Sequence, residues 1–270
     1  MTTAAKNTMS TRTFGVEIEA VGATRGAVAT ALRRAGIDCY DAGYSHTAVA
    51  SWKVVSDVSV AGSLPFELVS PILRGDAGLE QIATVCRVLN ELGCTVNSSC
   101  GLHVHVDGRD FSQNLNKIKN LARMWMKYET CFDQLVPASR RDNHYCNSNL
   151  RRHGSVADAF QAIGAVTTLH SLLMVTNRAA DDNGRYHKLN LCALLRHGTV
   201  EFRQHGGTTE AEKIINWVRL VVDFADEAAN ATRISPAGAG DLNRLLANTK
   251  DRKARAFFRA RQAALAATRA

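Results

Sequence analysis

The 270 residues fit one large domain or two small ones, and 46% hydrophobic with 21% charged residues is an ordinary soluble composition. A chain of this length buries roughly three-quarters of its unfolded surface, so no disulfide or metal staple is needed for folding. Seven cysteines, an odd number without a Cys-x-x-Cys pair, argue against a disulfide scaffold and for a reducing, cytoplasmic setting. Cys39, Cys86, Cys94, Cys131 and Cys192 read as small buried residues. The first dozen residues are polar and lack the apolar centre of a signal peptide, and no run is long enough to span a bilayer.

The net charge of +8 suggests a nucleic-acid partner, but its distribution weakens that reading. Residues 241–270 carry eight Lys or Arg and two Asp, whereas the first 240 carry 25 basic and 23 acidic residues. The basicity therefore belongs to the tail. Such a tail suits contact with nucleic acid or an acidic partner, and equally a solvated Arg/Ala helix.

In chain order, residues 1–12 read as disordered, and a strand follows over 13–21. Thr24 caps a helix that buries Val28, Ala31 and Leu32 and closes at Gly36. Residues 37–70 read as extended, with strands at 52–57 and 64–69 joined by a turn containing Gly62. Leu79, Ile82, Val85, Cys86, Leu89 and Leu92 fall at helical spacing over 75–92, and Gly93 ends that helix. A strand over 100–107 precedes the strongest helix, 112–136, striped by Leu115, Ile118, Leu121, Trp125, Tyr128, Phe132 and Leu135. A polar loop covers 139–146, and one or two helices cover 155–177. Residues 186–191 form a strand that pairs with 199–205 across an Arg196-His197-Gly198 turn. A Thr209-x-x-Glu212 capping box opens the next helix, and 235–240 link it to the basic tail helix. The expected architecture is α+β: a mainly antiparallel sheet with helices on its apolar face. The folded domain spans 13–235, and 236–270 form linker and tail.

Three strands repeat one pattern. Side chains two apart in a strand share a face. Glu17 and Glu19 therefore lie opposite Phe14, Val16 and Ile18, while His103, His105 and Asp107 lie opposite Leu102, Val104 and Val106. Glu201, Arg203 and His205 lie opposite Val200, Phe202 and Gln204. Glu67 is a lone carboxylate among Pro65 and Val69, and burying it requires a partner or a metal. Taken singly, each histidine reads as a hydrogen-bonded strand residue, and alternating charges also mark the wet face of a sheet. Three such strands in one sheet make a polar floor whose carboxylates and imidazoles suit Mg²⁺ or Mn²⁺ better than zinc. Arg203, two residues from Glu201, is placed to clamp a phosphate. No P-loop, Rossmann glycine motif or Gly-x-Ser-x-Gly is present. Cys100 is disfavoured as a thiol nucleophile because it and His103 point differently within the strand.

Seven short motifs occur in one order. They are Phe14-Gly-Val-Glu-Ile-Glu19, Trp52-x4-Asp57-x-Ser59, Glu67-Leu-Val-Ser-Pro71, Cys100-Gly-Leu-His-Val-His-Val106, Ser139-Arg-Arg141 with Tyr145-Cys146, Leu189-Asn-Leu191 and Thr199-Val-Glu-Phe-Arg203. Over about residues 13–230 the chain resembles the amidoligase family of carboxylate–amine ligases, which includes glutamine synthetase and glutamate–cysteine ligase. The resemblance implies a glutamine-synthetase-like curved antiparallel sheet that holds ATP and several Mg²⁺ (or Mn²⁺) ions. It implies an acyl-phosphate route joining a carboxylate substrate to an amine substrate, either of them small, peptidic or macromolecular. Glu17 and Glu19 would be split between metal sites, with His103 and Glu201 at the ATP-linked one and Glu67 at the other. Arg203 would stabilise the transferring phosphoryl group, and Arg140, Arg141 and Lys188 would contact phosphate or carboxylate. Asp57 would orient or deprotonate the amine, although Val58 stands where family members often carry glycine. A metal-dependent hydrolase or nuclease acting on a polyanion uses the same acidic floor and is the second reading. A non-catalytic binding protein is the third, and the intact Glu-x-Glu, His-x-His and Glu-x-Arg groups weigh against it.

Overall fold

The computed structural model describes residues 9–44, 49–179 and 181–267. Its elements in order are β1 (Phe14–Ala20), α1 (Arg25–Arg34), β2 (Cys39–Gly43), β3 (Trp52–Val55), β4 (Phe66–Val69), α2 (Gly75–Glu91) and β5 (Gly101–Asp107). Then come α3 (Arg109–Ser112), α4 (Leu115–Asp133), α5 (Val156–Ala165), α6 (Leu169–Asn177), β6 (Leu189–Asn190), α7 (Ala193–His197) and β7 (Thr199–Gly206). The chain ends with α8 (Ala211–Asn230), α9 (Leu242–Ala247) and α10 (Arg252–Ala267). The class is α+β. Seven strands form one open sheet in the order β2-β3-β4-β1-β5-β7-β6. β2 runs parallel to β3 and the other neighbouring pairs are antiparallel, so the sheet is mixed.

Alternation along the strands builds the core. Phe14, Val16 and Ile18 of β1, Leu102, Val104 and Val106 of β5, and Val200 and Phe202 of β7 are buried beneath the helices. Full burial of such side chains stabilises the fold by about 1.5–3 kcal/mol each. α4 and α8 lie against this face, and Phe132 meets Phe224 and Trp217 edge-on at 5.2 and 5.7 Å. All seven cysteines are free and buried.

Several boundaries differ from the sequence expectation. The helix expected over 112–136 is interrupted, because the Asn114 side chain accepts from Asn116 N and Lys117 N and caps a fresh start. The strand expected over 186–191 shrinks to Leu189–Asn190, and a helical turn, α7, stands before Gly198. The Thr209 capping box does not form. Glu210 is the N-cap of α8, and Thr208 Oγ1 instead accepts from Glu210 N. The reason lies upstream: Gly207 N donates to Cys100 O, and a Cβ on Gly207 would stand 2.4 Å from Cys100 Cβ. That close approach holds the chain extended a little longer than the motif suggests.

Both ends of the described chain pack on this body. Residues 1–8 of the segment expected to be disordered lie outside the described residues, but Met9 is buried and Ser10 N donates to Asp223 Oδ1. Leu245, Leu246 and Phe258 of the basic tail are buried in the main core, and Arg261 Nε donates to Leu135 O. Among the described residues, no helix is long and apolar enough to cross a membrane.

Candidate active site

β1 lies between β4 and β5, and its register sets the site. Glu19 stands opposite Glu67, Glu17 opposite His103, and His105 opposite Glu201. Directly paired residues share a sheet face, so these groups converge on the side away from the core. His103 Nδ1 is 3.0 Å from Glu17 Oε2 and 3.8 Å from Glu201 Oε1, while its Nε2 is 3.8 Å from Glu19 Oε1. Two ligand triads result, Glu17–His103–Glu201 and Glu19–Glu67–His103, each with its donor atoms within 4.8 Å of one another.

Neighbouring groups fix these side chains. Glu19 Oε2 accepts from Gly101 N at 2.6 Å, and Asn190 Nδ2 donates to Glu201 Oε2 at 2.6 Å. His105 Nδ1 meets Thr199 Oγ1 at 2.8 Å, which turns Nε2 toward Glu17 Oε1 at 3.4 Å. Arg203 Nη1 pairs with Glu201 Oε1. Its Nε is buried and, among the described residues, has no hydrogen-bond partner. Gly101 provides the room for the His103 ring, since a Cβ there would lie 2.8 Å from His103 Nε2.

The electrostatics split the carboxylates. Burial alone raises the Glu17 carboxyl, yet hydrogen bonds and charge from His103 and His105 hold it well below the usual range. Glu201 is likewise raised by burial but held low by Arg203, His105 and His103. Glu67 goes the other way, pushed well above the usual range by burial and by the charges of Glu17, Glu19 and Asp57. A carboxyl raised by like neighbours is one a divalent cation would return to its ionised form.

A family model described as "Putative amidoligase enzyme" matches residues 10–225. The chain belongs to the amidoligase family. No curated protein matches it. Every residue of both triads lies within the matched span, and α9 and α10 lie beyond it.

The other residues singled out from the sequence of this amidoligase are not all brought to the floor: Arg141 and Lys188 turn to groups on and just after α4. Arg140 is buried and donates from Nη2 to Arg203 O at 2.7 Å and from Nε to Gln204 O, bracing β7. Arg141 donates to the carbonyls of Asp133 and Val136 at the C-terminal end of α4. Lys188 is 1% exposed and its ammonium sits between Glu129 and Asp133, at 3.2 and 2.7 Å. Asp57 Oδ1 accepts from the backbone and hydroxyl of Ser59, in a turn whose Val58 is fully exposed.

Two residues expected on the floor are elsewhere. Asp107 closes the end of β5 by pairing with Arg109 at 2.6 Å. His205 lies 4.9 Å from the ring of Trp217, on the helix side. The cause for His205 is a β-bulge: the β5–β7 register slips between Leu102/His205 and Val104/Phe202, so alternation breaks after Arg203 and His205 comes to the helix side. Burial pushes the His205 imidazole down to about 3, assisted by the charges of Arg261, Arg140 and Lys213.

Sequence reasoning overlooked Lys53 and Asn190 as floor residues. Lys53 on β3 stands opposite Val69 and is buried, with its ammonium lowered by burial against the countering charges of Glu67 and Glu17. Its signal was present: a lysine inside Trp52-Lys53-Val54-Val55 must go either to water or to buried acids. Asn190 stands inside the Leu189-Asn-Leu191 motif, but its contact with Glu201 depends on a two-residue edge strand that the motif does not reveal.

Proposed function

We propose that this chain is an ATP- and Mg²⁺-dependent carboxylate–amine ligase on a glutamine-synthetase-like scaffold. The observation that carries the reading is the convergence of Glu17, Glu19, Glu67, His103 and Glu201 into two adjoining donor triads in an amidoligase-family chain. The donor set is mostly carboxylate oxygen with one imidazole, which fits Mg²⁺ or Mn²⁺. Glu17, His103 and Glu201 would hold one ion, and Glu19 and Glu67 the other. Such ions, when bound, supply charge neutralisation for a polyphosphate.

The chain's own groups account for the remaining steps. Phosphoryl transfer calls for positioning and charge stabilisation rather than covalent groups. A substrate carboxylate oxygen attacks the γ-phosphorus, the bridging P–O bond to ADP breaks, and an acyl phosphate forms. Arg203, anchored through Glu201 and carrying a buried Nε without a partner among the described residues, would donate to the transferring group. The amine nitrogen then attacks the acyl carbon, phosphate leaves, and the nitrogen loses a proton. Asp57, half-buried and close enough for its charge to act on Glu67, would take it.

The test is ADP release with Mg²⁺ against a panel of carboxylates and amines. Release that requires both substrates supports the ligase. Phosphodiester cleavage without ATP would replace it with the hydrolase reading.

A further inference from the structure

The Tyr145-Cys146 motif is not used by the floor, yet it is built into a rigid aromatic cluster beside it. His144 stacks on Tyr186, with ring centroids 5.5 Å apart and planes at 25°. Tyr145 meets both rings edge-on, at 5.3 Å from His144 and 6.1 Å from Tyr186. The Arg185 guanidinium lies 4.8 Å over the Tyr186 ring and donates to its hydroxyl. His144 and Tyr145 are exposed, Tyr145 by 41%. Two of the three rings are exposed and Tyr186 is half-buried, so the cluster presents an aromatic surface to solvent.

The cluster is also preorganised. Asn143 Oδ1 accepts from Tyr145 N and Cys146 N, and Asn147 Nδ2 donates to both His144 O and Tyr186 O. Two contacts connect it to the phosphate-facing arginine: Cys146 Sγ donates to Arg140 O, and Arg140 donates to Arg203 O. The backbone of Lys188, two residues from Tyr186, accepts from Arg203 N. The rings are thus fixed at the β6 edge of the sheet, next to the strand that carries Glu201 and Arg203.

We propose that the exposed His144 ring, backed by Tyr186 and flanked by Tyr145, forms a stacking platform for the base of a nucleoside triphosphate whose phosphates lie at Arg203. This rests on the ATP-dependent reading above and adds to it the group that recognises the base. Every nucleobase has a π-face, and stacking on aromatic rings or an Arg–aromatic pair needs no hydrogen-bond code. Polyphosphate is held by the floor, and the base adds affinity at the rim.

The experiment is calorimetric titration of the full chain in Mg²⁺ with a non-hydrolysable ATP analogue and, separately, with inorganic tripolyphosphate. The analogue is expected to bind about tenfold or more tighter than tripolyphosphate, in line with stacking worth ~1–3 kcal/mol per base. His144→Ala and Tyr186→Ala are expected to remove that advantage while leaving tripolyphosphate affinity unchanged, and Tyr186→Trp to retain it. Equal affinity of the two ligands for the wild type would overturn the platform alone. So would an unchanged analogue affinity in both variants, or a parallel loss of tripolyphosphate binding. Absence of binding by either ligand would overturn the ATP reading and the platform with it.

Discussion

Glu17 and His103 face each other across the β1–β5 ladder, with carboxylate and imidazole 3.0 Å apart, although 86 residues separate them in sequence. His103 is shared by both donor triads, so its ring position governs the whole floor. A change that moves the ring without touching any ligand tests this directly. Gly101→Ala would put a Cβ 2.8 Å from His103 Nε2, and the backbone there has no positive φ that an alanine would strain. The expected result is a tenfold or greater loss of Mn²⁺ affinity in titration, with an unaltered circular dichroism spectrum. Unchanged Mn²⁺ binding would show that the ring does not serve the ion.

Removing ligand charge while keeping shape separates site from scaffold. Glu17→Gln and Glu201→Gln are each expected to lower ADP release by at least ~10²-fold, a typical loss for a group that stabilises transition-state charge. Thermal stability should fall modestly without loss of the fold, because both carboxylates are held below their usual range by His103, His105 and Arg203 and neutralising them removes that pairing. Melting temperatures with and without Mg²⁺ check the second half: the wild type should gain stability from the ion and the variants should not.

The face of each strand was legible in the sequence. Period-two alternation in Phe14–Ala20 and Gly101–Asp107 places their core residues and the triad ligands Glu17, Glu19 and His103 on the proper side. What alternation does not encode is strand direction or register slippage. The parallel entry of β2 and the bulge in β7 arise from tertiary pairing, and the bulge is what carries His205 to Trp217. The same limit applies to Lys188: a basic residue beside a site motif suggests an anion contact, and nothing local reveals that Glu129 and Asp133 of α4 lie beneath it.

That buried trio sets a stability prediction. Lys188→Met leaves Glu129 and Asp133 without their cation in a buried setting, and breaking a buried pair on one side costs ~3–5 kcal/mol. Urea unfolding should show a loss of that order. Loss of nucleotide affinity without loss of stability would instead support the phosphate contact expected from the sequence.

His205 predicts how stability varies with acid. Its folded imidazole is depressed from 6.5 to about 3, so between these values the unfolded chain binds the extra proton. Stability from this group is therefore fully present above pH 6.5 and lost progressively as pH falls toward 3. The slope approaches ~1.4 kcal/mol per pH unit once the unfolded imidazole is protonated. Denaturant midpoints from pH 7 to 5 compare wild type with His205→Gln, and the wild type should fall more steeply. Parallel curves would place the acid sensitivity on other groups.

The charge and the packing of the basic tail point to different roles. The charges on α10 mostly face water, with Arg252, Lys253 and Arg259 exposed, whereas Leu245, Leu246 and Phe258 are buried against α4 and α8. Phe258 lies 6.4 Å from Trp217, the ring that also contacts His205 behind β7. Truncation after Gly240 thus exposes part of the main core and should lower stability severely. The gentler Phe258→Ala should cost ~3–5 kcal/mol, the range for a large aromatic removed from a core. Replacing Arg252, Lys253 and Arg259 by Gln should leave the unfolding midpoint within about 0.5 kcal/mol per site of the wild type. A truncated chain that unfolds like the full one would show that α9 and α10 are an appendage rather than part of the core.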